Sequence, residues 1–389
     1  MEFVTAGESH GPCLTAIVSG VPAGLAISEK QINSDLARRQ AGYGRGGRQN
    51  IETDTAAILS GVRFGKTLGS PITLQVANRD WKNWTERMSV FGNAPEDLVR
   101  EVTPRPGHAD LLGVLKRNSD DCRDILERSS ARETAARVAA AGIAREFLAE
   151  MGVDIYSYVT SVGSVTMHED DPMASAASYR QIDIETSSMR CPDPEATAEM
   201  EGEVDDAKEA GESLGGTFRV VVTGLTPGLG DYTAGPVRLT SLLGAAMFGI
   251  PAIKGVEFGL GFEAARRVGS KVHDPITLGV DGYTRSSNNA GGLEGGMTSG
   301  QPLIITAAMK PIPTLTTPLN TIDIDTLKPA LASKERSDTC AVPAAAVVAE
   351  SEVAFVLADA YIKMFGNSNM TDIKAARDAY LKRLKTMSR

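Results

Sequence analysis

The chain has 389 residues, of which 42% are hydrophobic and 23% charged, a composition typical of a globular protein that buries a sizeable core. Its formal net charge of -9 argues against a general nucleic-acid binder or a protein of anionic membrane surfaces. No apolar run approaches ~18 residues, the first residues do not form a signal peptide, and the four cysteines lack metal-ligand spacing. We therefore expect a cytoplasmic protein without a metal site.

Helical and strand patterns are mixed along the chain. In chain order, we predict a helix over residues 28–40, strands over 55–62 and 72–76, a helix over 130–150, a strand over 155–165, a helix over 196–211, a strand over 217–222, a buried helix over 239–248, a strand over 303–308, and helices over 343–364 and from about 371. This order favours an α+β fold over a doubly wound sheet. Because no linker or repeat is visible, we predict a single domain over residues 1–389.

Two of the four histidines lie in short sequence frames, that is, segments rich in glycine and proline on both sides of the histidine. His10 lies in GESHGP, residues 7–12, and His108 lies in RPGHAD, residues 105–110. Such frames fix the backbone and clear space around an imidazole, which suits a proton donor that faces a ligand. A structural role is the commoner one for any single histidine, but two similar frames favour a site. His168 and His273 have ordinary polar neighbours and are predicted to have no role.

Arginines and glycines alternate after the first predicted helix. Residues 36–51 contain no acidic residue but include Arg38, Arg39, Arg45 and Arg48. Guanidinium groups on such a loop can bind a small polyanion through bidentate contacts, although a solvated basic loop explains the run equally well. The stretch 42–47 also fits G-x-G-x-x-G, but it follows a helix rather than a strand, which argues against a dinucleotide site.

Further segments combine cations, hydroxyls and glycines. The residues RSS at 128–130 precede a helix start, where free backbone N–H groups favour an anion, and Arg132 and Arg137 lie in the same helix. The glycine-rich stretch 288–300 is either a mobile loop or a place where backbone approaches a ligand closely. Together with Lys310 and residues 336–338, these segments indicate an enzyme with a small, highly anionic substrate and an anionic cofactor.

Over nearly its whole length the chain resembles the chorismate synthase family. The motifs that carry the resemblance are GESHGP (7–12), DLARRQAGYGRGGR (35–48), RPGHAD (105–110), RSSARETAARVA (128–139), PAIKGVEFG (251–259), NNAGGLEGGMTSGQP (288–302), MKPIPT (309–314) and RSDTCAVPAA (336–345). The resemblance implies a β-α-β sandwich, with helices packed between antiparallel sheets, and a homotetramer. It also implies anti-1,4-elimination of phosphate from 5-enolpyruvylshikimate 3-phosphate to give chorismate, the last common step of the shikimate pathway of aromatic amino-acid biosynthesis, with a requirement for reduced FMN.

The resemblance also implies roles for individual residues. The implied catalytic residues are His10 for the departing phosphate, His108 for the pyrimidine edge of the flavin, and Asp338 for the proton at flavin N5. The implied substrate-binding residues are Arg39, Arg45, Arg48, Arg105 and Arg132. The implied flavin-binding residues are Arg128, Ser129, Ser130, Pro251, Ala252, Gly295, Lys310, Pro311, Ile312, Pro313, Thr314 and Arg336. Since many relatives carry Asn or Gln at position 251, only a backbone or packing contact is implied there.

Two alternatives stay open at this stage. A bifunctional form would reduce its own flavin with NAD(P)H, but no strand-loop-helix dinucleotide site is visible, so an external flavin reductase or reductant is expected. An RNA-binding module built on residues 38–48 is opposed by the acidic net charge and by the lack of interleaved aromatic residues beyond Tyr43.

Overall fold

The computed structural model describes residues 1–47, 51–279, 282–335 and 337–387. The strands are β1 Glu2–Ala6, β2 Cys13–Ser19, β3 Ala56–Ile58, β4 Val62–Arg63, β5 Lys66–Thr67, β6 Ile72–Ala77, β7 Asp154–Val162, β8 Val165–Thr166, β9 Gly216–Thr223, β10 Ile253–Phe258, β11 Ile276–Gly279, β12 Gly282–Arg285, β13 Leu293–Glu294, β14 Met297–Thr298, β15 Leu303–Met309, β16 Asn320–Ile322 and β17 Pro329–Leu331. The helices are α1 Glu29–Gln40, α2 Asp110–Arg117, α3 Arg123–Ser129, α4 Thr134–Glu150, α5 Pro172–Ser175, α6 Gln181–Thr186, α7 Pro194–Ala210, α8 Leu239–Phe248, α9 Val342–Phe365 and α10 Met370–Met387.

Helices lie between two antiparallel sheets. One sheet has the strand order β1-β2-β6-β3 and the other has the order β10-β15-β9-β7-β8. Along β2, Leu14, Ala16 and Val18 are buried and the residues between them are more exposed, so one face of the first sheet covers the core. Helix α4 packs on β2 and β6, α9 packs on β7 and β9, and the two helices pack on each other. The α+β class and the sandwich expected from the sequence are confirmed.

Small residues allow the central helices to approach closely. Helix α4 is alanine-rich and buried over most of its length. At Gly142, a Cβ atom would lie 2.6 Å from Cγ1 of Ile32 on α1, so the Ile32 side chain packs directly on the α4 backbone where the glycine has no side chain. One apolar cluster includes residues of both sheets and of the helices between them. The single domain over residues 1–389 stays a prediction.

Local signals placed several elements correctly. The Ser28 hydroxyl accepts the Gln31 N–H at the start of α1, and the Ser130 hydroxyl accepts the Arg132 N–H at the start of a 3₁₀ turn that leads into α4. Helix α9 carries Pro343 in its first turn and ends before Gly366, as predicted.

Three predictions differ from the structure. The strand predicted over 55–62 is broken into β3 and β4 by a turn at Gly61, whose φ is +76°. The helix over 239–248 is present as α8, but it buries only one side, and Phe248 is 55% exposed. Helices α2 and α3 were not predicted.

Neither a membrane span nor a metal cluster is found within the described ranges. No helix there has both the length and the apolar character that crossing a bilayer requires. No group of three or more His, Cys, Asp or Glu side chains in those ranges is placed to hold a metal ion. All four cysteines are free thiols.

Candidate functional site

A cavity of about 430 Å³ lies where the loop after β1, the end of α1, the start of α4 and the first turns of α9 meet. Its volume is that of a site for small organic ligands. The predicted site residues that line it are His10, Arg39, Arg45, Arg105, His108, Ser129, Ser130, Arg132, Pro251, Ala252, Lys310, Ile312, Pro313, Thr314 and Asp338. Residues far apart in the chain therefore face one space.

Three predicted flavin residues do not line this cavity. Arg128 is exposed at the end of α3, where its guanidinium donates to the Thr5 backbone oxygen at 2.9 Å. Gly295 lies exposed in the turn between β13 and β14, and Pro311 is also exposed. The predictions for Arg48 and Arg336 fall outside the described residues.

His10 is held by a buried carboxylate. Its Nδ1 lies 2.8 Å from Glu127 Oε1, and its backbone N–H donates to Glu127 Oε2 at 2.7 Å. The Trp84 ring packs beside the imidazole, with 4.1 Å between the ring centroids. Burial alone would raise the pKa of Glu127, but the hydrogen bonds and charge of His10, with the charge of Arg123, lower it. Glu127 is therefore a carboxylate at neutral pH.

His108 is held in the same way, by Asp110. The His108 Nδ1 lies 2.6 Å from Asp110 Oδ1, and Arg105 Nε donates to Asp110 Oδ2 at 2.9 Å. Burial opposes ionisation of Asp110, yet hydrogen bonds from His108 and Arg105 hold the pKa of this carboxyl well below its usual range. Arg105 also donates to Thr314 Oγ1 at 3.0 Å, so most of its donors are engaged within the protein.

Arg39 and Arg132 share one carboxylate behind the cavity wall. Asp54 accepts from Arg132 Nη1 at 2.6 Å and lies 3.4 Å from Arg39 Nη1. Burial lowers the pKa of Arg39 to about 10, because the attraction of Asp54 only partly offsets burial and the repulsion of Arg132 and Arg45. Arg39 remains cationic at pH 7, and its Nε donates to Thr134 Oγ1 at 2.9 Å.

Arg45 and Asp338 meet at the glycine-rich loop after α1. Arg45 Nε lies 3.0 Å from Asp338 Oδ2, and the Gly46 backbone N–H donates to Asp338 Oδ1 at 2.6 Å. At Gly46, a Cβ atom would lie 2.6 Å from the Ser337 backbone oxygen. The close approach of the two loops therefore requires a glycine at position 46.

Two arginines that the sequence associated with anion binding point elsewhere. Arg38 donates to both carboxylate oxygens of Glu350 at 2.8 Å, and Arg137 pairs with Glu133 and Glu352. Arg38 neighbours Arg39 on α1, but a helix turns by about 100° per residue, so the two side chains leave α1 in different directions and meet different partners, Glu350 and Thr134. The prediction that four guanidinium groups of this run bind one anion is wrong for Arg38.

Carboxylates offset much of the cationic charge. In the described part of the chain, five cationic side chains line the cavity together with three carboxylates, those of Glu52, Glu335 and Asp338. Asp54 and Asp110 lie behind them as further counter-charges. An anion in this cavity would therefore be bound by oriented N–H groups more than by an excess of positive charge.

Comparison with known proteins decides the family. Residues 1–362 match the family model described as chorismate synthase. The chain belongs to the chorismate synthase family. Its relatives named chorismate synthase include those of Aquifex aeolicus, 50% identical over 392 residues and covering 99% of this chain and 98% of that protein, and of Trichlorobacter lovleyi, 53% identical over 389 residues and covering 98% of each.

A solved structure titled "Crystal Structure of Chorismate Synthase" agrees with this assignment. It has a TM-score of 0.80 and 42% sequence identity, and it covers 99% of this chain and 98% of that chain. Chorismate synthases are phosphate-eliminating lyases, so the chain is an enzyme of that class.

The sequence did not identify the partners of the family's motif residues. Glu127, Asp54 and Thr134 contact predicted site residues, yet they were not singled out. Glu127 and Thr134 lie within or beside the conspicuous RSS segment, where the nearby arginine and serines are the stronger signal. Asp54 lies just after the acid-free run of residues 36–51, and that position is the one signal that could have identified it.

Proposed function

We propose that this enzyme eliminates phosphate from 5-enolpyruvylshikimate 3-phosphate to give chorismate, with reduced FMN as its cofactor. The observation that carries the proposal is the convergence in one cavity of two carboxylate-held histidines and four arginines. Such a set suits an acid-assisted departure of phosphate from a polyanion.

The charge of the substrate suits the arginines of the cavity. The substrate has two carboxylates and a phosphate that bears about -1.5 to -2 charges. Arg39, Arg45 and Arg132 are our candidates for binding these groups, because parts of their guanidinium groups are only loosely engaged, as in the 3.4 Å contact of Arg39 with Asp54. Arg48 is a further candidate for substrate binding, on the family resemblance alone. Arg105 lines the same space but is committed to Asp110 and Thr314.

A second set of cavity-lining residues has groups that fit a flavin. Apolar side chains of Pro251, Ile312 and Pro313 suit the face of a planar ring, and Ala252 has a φ of +68°, which exposes backbone at the wall. Lys310 and the hydroxyls of the cavity-lining serines suit a phosphate. The residues that would hold FMN are Ser129, Ser130, Pro251, Ala252, Lys310, Ile312, Pro313 and Thr314. Arg336 is added by resemblance, whereas Arg128, Gly295 and Pro311 are left out.

The proposed proton movements use three side chains. When bound, reduced FMN supplies the electron density that assists the elimination without a net redox change. His10 donates a proton from Nε2 to the phosphate as its bond to C3 breaks and the bonding electrons leave with the phosphate. Asp338 would handle the proton that C6 loses at flavin N5, and His108 would set the protonation at the pyrimidine edge of the flavin ring. Since one proton is donated and one is accepted, the steps balance.

Other parts of the proposal come from the family resemblance. We infer that the enzyme works in the shikimate pathway of aromatic amino-acid biosynthesis, in the cytoplasm and as a homotetramer. We also infer that its flavin is reduced by an external reductase or reductant.

The requirement for reduced flavin tests this proposal. We expect phosphate release from 5-enolpyruvylshikimate 3-phosphate under anaerobic conditions when chemically reduced FMN is present. Oxidised FMN, or no FMN, should give no turnover. Equal rates with and without reduced FMN would contradict the assigned cofactor.

A further inference from the structure

We propose that Glu127 is a positioning residue that makes His10 a proton donor through its Nε2 atom. Its carboxylate holds Nδ1 of the imidazole, so that Nε2 is the nitrogen that exchanges a proton with a ligand in the cavity. The inference rests on the proposed function only in naming the leaving phosphate as the acceptor of that proton.

Three hydrogen bonds tie the His10 loop to Glu127. Oε1 of Glu127 lies 2.8 Å from His10 Nδ1, and Oε2 accepts the His10 backbone N–H at 2.7 Å. The Glu127 backbone oxygen accepts the Ser9 N–H at 2.9 Å. Both carboxylate oxygens therefore act on one residue, and one of them fixes the ring while the other fixes the backbone that carries it.

Burial and neighbouring rings restrict the imidazole further. Glu127 is 3% exposed and His10 is 6% exposed, so water competes little for these hydrogen bonds. Trp84 packs beside the imidazole at 4.1 Å between centroids, and Arg123 lies over the Trp84 ring at 5.2 Å from its centroid. Arg123 Nη1 also lies 3.4 Å from Glu127 Oε1, so this arginine supports both neighbours of His10.

The position of the ring proton follows from the charge of Glu127. The hydrogen bonds from His10 and the charge of Arg123 outweigh burial and lower the pKa of Glu127, so the group is a carboxylate at neutral pH. A carboxylate only accepts hydrogen bonds, so Nδ1 has to carry a hydrogen. Since His10 lines the cavity and no hydrogen bond to its Nε2 is made by the described residues, Nε2 is the nitrogen that faces a ligand.

This arrangement makes protonated His10 an effective acid. The cation loses its Nε2 proton and becomes a neutral ring that keeps its hydrogen on Nδ1, where Glu127 already accepts it. A neutral ring with its hydrogen on Nε2 would instead have to become an anion to give that proton away. Glu127 therefore selects the tautomer that matches acid catalysis, as carboxylates do for histidines in other enzymes.

The substitution Glu127→Gln keeps the shape of the side chain but removes its negative charge. An amide has one acceptor oxygen and one NH₂ donor, whereas the two groups of His10 that face it are both N–H donors. If the oxygen accepts from the backbone, the NH₂ meets Nδ1, which then has to give up its hydrogen. If the oxygen accepts from Nδ1, the backbone N–H loses its partner. Glu127→Gln should therefore move neutral His10 toward the Nε2–H tautomer or release the loop.

The test reads the two ring nitrogens directly in protein labelled with ¹⁵N-histidine and without substrate. The chain has four histidines, so the signal that disappears in His10→Ala assigns His10. We expect neutral His10 to carry its hydrogen on Nδ1 in the wild type and to lose that preference in Glu127→Gln. The matched control is Glu169→Gln, because the side chain of this glutamate is only 7% exposed, pairs with Arg219 at 2.8 Å and does not line the cavity. It should leave the His10 tautomer unchanged.

Kinetics give a second measure of the same role. We expect Glu127→Gln to lower kcat by about 10²–10⁴-fold, the range of the general acid assistance that it would impair, with little change in KM. Wild-type His10 with its hydrogen on Nε2, or Glu127→Gln with an unchanged tautomer and unchanged kcat, would overturn the inference. The wild-type tautomer needs only the His10→Ala spectrum for its assignment, so the test survives a Glu127→Gln variant that fails to fold. Because the tautomer is read without substrate, an absence of phosphate release from the wild type would overturn the proposed function separately.

Discussion

The two cavity histidines have similar partners but different surroundings. His10 is almost fully buried between Glu127 and Trp84, whereas the His108 side chain keeps 16% of its exposure and contacts Arg105. The first setting suits a proton donor that is shielded from water. The second setting joins His108 to a cation and suits a group that faces the edge of a bound ring.

Removal of either imidazole should slow the reaction. General acid or base assistance is worth about 10²–10⁴-fold, so we expect His10→Ala and His108→Ala each to reduce turnover on that scale in a phosphate-release assay. His168→Ala is the control, because the His168 side chain is 85% exposed and lies outside the cavity. Near-wild-type rates in either cavity variant would contradict the assigned roles.

The glycine-rich loop offers a matched pair of substitutions. A Cβ at Gly46 would lie 2.6 Å from the Ser337 backbone oxygen, whereas a Cβ at Gly47 would meet no atom of the described residues within 4 Å. We expect Gly46→Ala to separate the loop from Asp338 and to lower kcat/KM by about 10²-fold, the scale of a misplacement of about 1 Å at a reacting centre. Gly47→Ala should keep its activity. Equal activities of the two variants would contradict the role of this close contact.

The sequence segments around the two histidines identified them, but they did not identify the groups that hold them. Glycine and proline around His10 and His108 are local signals, so they can be seen without a structure. Glu127 is 117 positions from His10, and a pairing across that distance depends on how β1 and α3 pack. The run of arginines was misleading in another way. Arg38 and Arg39 look alike in the sequence, but Arg38 pairs with Glu350 and Arg39 contacts Thr134.

At the scale of elements, the cavity depends on the close packing of α1, α4 and α9. Helix α4 packs against both of the other helices, and its alanines and Gly142 keep the interaxial distances short. Since Arg39 ends α1 and Arg132 precedes α4, the distance between these helices also sets the distance between two arginines of the cavity.

Two helical glycines should respond to alanine with opposite signs. At Gly142 the new methyl would overlap Ile32, with 2.6 Å to its Cγ1, so we expect Gly142→Ala to destabilise the protein by about 1–3 kcal/mol. At Gly244 in α8 the methyl would meet no described residue within 4 Å, and Gly244→Ala should stabilise by about 0.5–1 kcal/mol through helix propensity. Denaturant unfolding measures both changes. A stabilising Gly142→Ala would contradict the tight packing of α1 on α4.

Several elements with strong local signals were predictable from the sequence, and some without them were not. Capping residues identified α1 and the start of α4, and Pro343 identified the start of α9. The short helices α2 and α3 lack such signals, because no side-chain cap is found at either start. The apolar run of α8 suggested complete burial, but sequence does not show how much of a helix its neighbours cover.

At the scale of the whole molecule, one buried ion network joins the layers. Glu350 on α9 accepts from Arg38 on α1 and Arg145 on α4, each at 2.8 Å, and from Ser157 on β7 at 2.6 Å. Arg190 adds a longer contact at 3.4 Å. Burial alone would raise the pKa of Glu350, but the three arginines lower it to about 2.

This network should make stability depend on pH in acid. A carboxyl whose pKa falls from 4.5 to about 2 on folding contributes stability that is fully present above pH 4.5 and is lost as the pH falls toward 2. The contribution is roughly 3 kcal/mol. We expect Glu350→Gln to cost about 3–5 kcal/mol at pH 7, because the buried Arg190 and the half-buried Arg38 and Arg145 lose their counter-charge, and to cost progressively less below pH 4.5.

Urea unfolding of the wild type and Glu350→Gln at pH 7, 4.5 and 3 measures this dependence. Glu263→Gln is the control, because that carboxylate forms only exposed pairs with Arg266 and Arg267. A difference in unfolding free energy between wild type and Glu350→Gln that stays constant down to pH 3 would contradict the lowered pKa of Glu350.

The reaction itself is the central claim, and its stoichiometry tests it most directly. The measurement is an anaerobic incubation with 5-enolpyruvylshikimate 3-phosphate and catalytic reduced FMN, in which released phosphate and the absorbance of chorismate are followed together. We predict that one chorismate forms for each phosphate released, over many turnovers for each flavin. Phosphate release without chorismate, or no turnover at all, would contradict the account.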